Sequence, residues 1–185
     1  MSATLRAVST ERPFAIRAAR PGDETVVFGF VAALARFERL EDEVIADGAV
    51  ERLREHLFGG APACEVLLAE RDGRAIGFAL FFPVYSTFKT ERCLHLEDLF
   101  VLPAERGNGV GEALLRAVAG VAHARGHARL QWCVLDWNEA AIRFYRHLGA
   151  NVRPDWRVCQ VEGNAAIGRL ARGSDPANET GVRGR

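Results

Sequence analysis

The chain has 185 residues, 49% of them hydrophobic and 26% charged, which is the length and make-up of one ordinary globular domain. Its 24 basic and 24 acidic residues cancel, excluding a chain-wide field that recruits nucleic acid or an anionic membrane. No apolar run approaches the roughly 18 residues of a membrane span, and the start, MSATLRAVSTERP, lacks the apolar core of a secretory signal, so a cytoplasmic protein is expected.

FAIRAA (14–19) reads as a short strand. Pro21, Gly22 and Asp23 then open a helix through about Phe37. A second helix over 47–58 is broken by Gly59, Gly60 and Pro62. CEVLLAE (64–70) and AIGFALFFPVY (75–85) are strands joined by a turn at Asp72-Gly73, a strong hairpin signal. CLHLEDLFVL (93–102) is too apolar for an edge strand, and Pro103 ends it. Ala113, Leu114, Ala117, Val118, Val121 and Ala122 follow the helical period over about 109–125, with Gly126 as C-terminal cap. A strand at 128–136, a short helix at 138–148 and an interrupted strand in NVRPDWRVCQVEG complete the pattern. The predicted fold class is α/β with a mixed sheet, a domain spanning 14–170 between a flexible start (1–13) and a disordered polar tail (171–185).

Three glycines stand where the helix after Pro103 begins, at about 1 kcal/mol each relative to alanine. A helix's first turn leaves four N–H groups unpaired and carries partial positive charge, so it is an anion site that side chains would obstruct. Gly107, Gly109 and Gly111 let a pyrophosphate approach the backbone, and Arg106 adds charge. A P-loop is excluded because no Lys follows the glycines, and the dinucleotide fingerprint needs a glycine where Glu112 stands.

The remaining pattern is Arg or Gln, two residues, Gly, one residue, then Gly or Ala, and Arg106, Gly109 and Gly111 meet it. Here the sequence resembles the pyrophosphate loop of the GNAT superfamily of acetyl-CoA-dependent N-acetyltransferases. Downstream, VLDWNEAAIRFYRHLGA, with Asn138, Phe144, Tyr145 and Gly149, resembles the second half of that family's cofactor site. LHLEDLFV before the loop and FERLEDEVI early in the chain narrow the likeness to the diamine acetyltransferase branch, the spermidine/spermine and thialysine type, over residues 14–162.

That resemblance implies a central mixed, mostly antiparallel sheet flanked by helices, a homodimer, and acetyl transfer from acetyl-CoA to a primary amine of a small cationic acceptor. It also implies roles. The strand backbone at Leu99, Phe100 and Val101 binds the pantetheine arm, and Arg106, Gly107, Asn108, Gly109, Val110 and Gly111 hold the pyrophosphate. Asn138 contacts the cofactor or simply caps its helix, two compatible readings. Tyr145 protonates the departing sulfur, against the alternative of a packed tyrosine on the stripe of Ala141, Ile142 and Leu148. Glu97 removes the amine proton through water and Asp98 binds the amine; strand alternation points the two to opposite faces, and a purely structural role for both stays open. Glu38 and Glu41 line the amine pocket, or belong with Asp42 and Glu43 to a solvated helix end. A peptide amine or an aminoglycoside as acceptor, or a CoA-binding sensor without catalysis, are the alternatives. The five histidines show no ligand spacing, and Cys64, Cys93, Cys133 and Cys159 read as small hydrophobes, so no metal is expected.

Overall fold

In the computed structural model, residues 13–173 are described, and the expected flexible start and most of the expected tail lie outside them. The chain divides after Cys133 into two compact units. The first is built on a five-stranded sheet in the order β1-β2-β3-β4-β5. Its strands are β1 (Ala15–Ala18), β2 (Glu65–Arg71), β3 (Arg74–Ser86), β4 (Glu91–Val101) and β5 (Leu130–Gln131). The first three pairings are antiparallel and β4–β5 is parallel, the mixed sheet read from the sequence. Asp72 and Gly73 both take positive φ, 51° and 73°, as the tight β2–β3 turn requires.

Helices α1 (Glu24–Glu38) and α2 (Ala49–Phe58) cover one face. Val27 and Phe30 of α1 and Leu57 of α2 bury against Val66, Leu68, Phe78, Leu80 and Phe100, and Phe30 stacks on Phe78 with ring centroids 5.4 Å apart. Helix α3 (Val110–Ala124) covers the other face through Val110, Leu114, Leu115 and Val118, all buried. Gly77 makes that contact possible: a Cβ there would meet the Phe100 carbonyl oxygen at 2.8 Å and the side chains of Val101 and Leu114 at 3.2 and 3.3 Å.

The decisive irregularity is a bulge in β4. Leu80 pairs with Asp98 but Phe81 pairs with Leu96, so Glu97 is the extra residue opposite no partner. On the other edge of β4, Leu94 and His95 pair with Leu130 and Gln131 and the ladder stops there. The strand expected over 128–136 is therefore two residues long, because the bulge turns β4 out of register with a parallel neighbour directly beyond His95.

The second unit holds α4 (Glu139–His147) and α5 (Asn164–Arg172). Asn138 caps α4, its Oδ1 accepting from the Ala141 N–H at 3.2 Å. The interrupted strand expected after Gly149 does not form: residues 150–162 pair with no strand, Pro154 offers no N–H, and Arg153 and Asp155 close a local ion pair. Helix α5, with three Ala and two Arg among its nine residues, departs from the expected pattern and carries regular structure to Arg172, beyond where the tail was expected to begin. No helix among the described residues is long and apolar enough to cross a membrane.

Candidate active site

The phosphate-binding expectation falls on the joint between β4 and α3. A short 3-10 turn, Pro103–Glu105, leads into Arg106 and the glycines. Gly107 and Gly109 take φ of 81° and 76°, a left-handed conformation that costs an L side chain about 1–2 kcal/mol. Gly109 is the N-cap of α3 and brings no capping side chain. Among the described residues no backbone carbonyl accepts from the N–H groups of residues 107–112. Those aligned donors, left uncapped at the positive end of a 15-residue helix, fit a diphosphate. Val110 is buried at the helix start and Asn108 is half-buried beside it.

Arg106 has a second duty. Its Nε donates to the Val101 carbonyl at 3.0 Å, and its guanidinium lies 4.8 Å from the Phe37 ring centre and 5.4 Å from that of Phe100. The charge expected at the phosphate loop is thus anchored to the end of β4 and the end of α1, and the loop's own donors are its backbone N–H groups. Leu99, Phe100 and Val101 occupy the part of β4 beyond the last β5 pairing. There the strand edge facing away from β3 has no strand partner among the described residues, which leaves main-chain groups for an extended ligand.

The acids gather at the bulge. Regular alternation would send Glu97 and Asp98 to opposite faces; the bulge corrects this expectation. Asp98 pairs with Leu80 and His95 with Phe82, both on the face covered by α1 and α2, and the Glu97 carboxylate lies 3.4 Å from His95 Nε2. His95, Glu97 and Asp98 therefore share one side of the sheet. Burial pushes the Asp98 carboxyl up from its ordinary 3.8 to about 7, and the negative charges of Glu97 and Glu38 push the same way. Glu38, at the end of α1, is itself raised by burial. Glu41 stands exposed in the turn Glu41–Glu43 and does not join the cluster. Three carboxylates around one partly buried position repel one another, an arrangement that a cation could relieve.

Tyr145 lies in α4 of the second unit, buried, its ring 5.3 Å from that of Phe144. In the sequence His95 is one of five histidines without ligand spacing, and Gln131 carries no signal. The two-residue spacing of His95 and Glu97 was a usable signal; the contact between Gln131 and His95 depends on the β4–β5 register, which no local pattern encodes.

The chain matches the family model described as acetyltransferase (GNAT) family over residues 29–150. It is 34% identical over 161 residues to the thialysine N-epsilon-acetyltransferase of Sus scrofa, covering 81% of this chain and 93% of that protein. It is 44% identical over 96 residues to the L-ornithine N5-acetyltransferase NATA1 of Arabidopsis thaliana, covering 51% of this chain and 42% of that one. Among solved structures, an integron cassette protein from the mobile metagenome of V. cholerae shares the fold with a TM-score of 0.70 at 24% identity, over 86% of this chain and 98% of that one.

Proposed function

Because the chain belongs to the GNAT family of acetyltransferases, we propose that it acetylates a primary amine of a small cationic acceptor, a diamine, polyamine or lysine-like amino acid such as thialysine. The carrying observation is the acid cluster at the β4 bulge, supported by relatives whose names specify thialysine and ornithine as acceptors. GNAT enzymes use acetyl-CoA as co-substrate, and the uncapped amides of residues 107–112 receive its diphosphate in this reading. The open edge of β4 from Leu99 to Val101 takes the pantetheine arm and aims its N–H donors at the thioester carbonyl.

An alkyl ammonium with a pKa near 10.4 must lose a proton before it attacks. Passing that proton to an ordinary aspartate is uphill by about 9 kcal/mol, and to a carboxylate at about 7 by about 5 kcal/mol. Burial of Asp98 thus makes it the better proton acceptor, with Glu97, which is 53% exposed, relaying between it and water. Glu38 adds charge that holds the cation, and Glu41 contributes only at the mouth. Tyr145 returns a proton to the departing thiolate, with Asn138 fixing the start of its helix. The protein acts as a homodimer in the cytoplasm, without a bound metal.

A thiol-release assay across putrescine, spermidine, lysine, thialysine and a short peptide tests this. Turnover of the diamines or of thialysine is expected. Transfer to the peptide alone refutes the acceptor class, and tight CoA binding with no turnover on any amine refutes the enzymatic reading.

A further inference from the structure

Glu97 is exposed and sits on a bulge, the two conditions that leave a long carboxylate side chain free to sample many rotamers. His95 removes that freedom. The imidazole is only 18% exposed and tilts at 31° against the Phe82 ring, with centroids 5.3 Å apart. Its Nδ1 lies 3.4 Å from Gln131 Nε2, and its Nε2 lies 3.4 Å from the Glu97 Oε2. An amide nitrogen only donates, so Nδ1 accepts and the ring's proton sits on Nε2, aimed at the carboxylate. Gln131 reaches Nδ1 because the parallel β4–β5 ladder ends with His95 opposite Gln131. The last ladder pair before the bulge thereby orients the residue that the bulge sets free. Among the described residues the charged group in contact with this ring is Glu97, which together with Glu38 from α1 also acts on Asp98; β3 and β5 present Phe82 and Gln131, neither of them charged.

We propose that His95 is a positioning residue for acceptor binding: held between Gln131 and Phe82, it fixes the Glu97 carboxylate on the face that Asp98 occupies, where the acceptor's ammonium is received. This deepens the amine-acetylation reading above and rests on it. A neutral donor is enough for the task, so the imidazole acts by geometry and takes no proton from the substrate.

The test is a split of kinetic constants. His95→Phe keeps the packing on Phe82 but loses the donor, and the KM for the amine is expected to rise about tenfold, the scale of a lost hydrogen bond to a charged group. The KM for acetyl-CoA and the thermal midpoint stay the same. His95→Gln, which restores an N–H toward Glu97, recovers most of the loss, and Gln131→Leu shifts the amine KM in the same direction. In a Glu97→Gln background, His95→Phe adds nothing further, because the two act as a unit. An unchanged amine KM in His95→Phe, or an equal loss in the Glu97→Gln background, overturns the proposal. If the unmodified protein acetylates no amine, the functional reading has failed. The geometry is then decided by imidazole nitrogen NMR: a proton on Nε2 whose shift responds to Glu97→Gln supports the positioning contact, and a proton on Nδ1 overturns it.

Discussion

A single carboxyl illustrates how burial becomes chemistry. Asp98 is raised to about 7 in the fold, above its ordinary value, so the folded protein holds its proton more tightly than the unfolded chain between pH 4 and 7. Stability tied to this group is therefore full below about pH 4 and falls as pH rises through 7, by up to about 4 kcal/mol. Asp98→Asn should flatten that slope, measured as denaturation midpoints from pH 5 to 8. In catalysis the same shift predicts an acidic limb near pH 7 in kcat/KM for the amine, and Glu38→Gln, by removing a repelling charge, moves it to lower pH. Tyr145→Phe is expected to lower kcat about 100-fold or more while acetyl-CoA affinity by calorimetry is kept. The sequence made Glu97 and Asp98 conspicuous as acids inside an apolar strand, whereas Tyr145 stood out only through the resemblance of its motif. It did not show that both acids share a face, since alternation is a local rule and the bulge is set by pairing with β3.

Elements were legible where their own residues decide them. α1, α2 and α3 carry their apolar stripe and stop signals in sequence, and the β2–β3 hairpin announces itself at Asp72-Gly73. The strand expected at 128–136 and the one after Gly149 failed because a strand is a contract with a neighbour; β5 retains two residues, and residues 150–162 have no partner strand. Gly77 passed unnoticed for the same reason, since its need for a bare Cα comes from Phe100 and Leu114. Gly77→Ala should destabilise by roughly 1–3 kcal/mol through overpacking, read as a lowered Tm. Gly109→Val should instead leave the core intact and raise the KM for acetyl-CoA, because it strains the N-cap and shields the first-turn amides.

At the scale of the molecule, zero net charge conceals a local gathering of acids, where Glu97 and Glu38 face Asp98 at the β4 bulge. Attraction of a cationic acceptor is expected to be short-ranged and salt-sensitive. Raising ionic strength from about 0.05 to 0.5 M should lower kcat/KM for a diamine several-fold and leave the acetyl-CoA KM less affected. In the second unit, Trp156, Val158, Ile167 and Leu170 are each more than half exposed; if the proposed homodimer covers such side chains, sedimentation of the full chain should give a dimer mass. The bulge also carries an evolutionary consequence. Deleting the residue at position 97 would restore regular pairing, with Leu96 still opposite Phe81 and Asp98 still opposite Leu80, so His95 and Asp98 would keep their face and only the extra carboxylate would be lost. Descendants of this chain can thus drop the bulge without unseating the sheet but lose an acid by doing so, so any gap in an alignment of its lineage across this strand should fall at position 97 and nowhere among its paired neighbours.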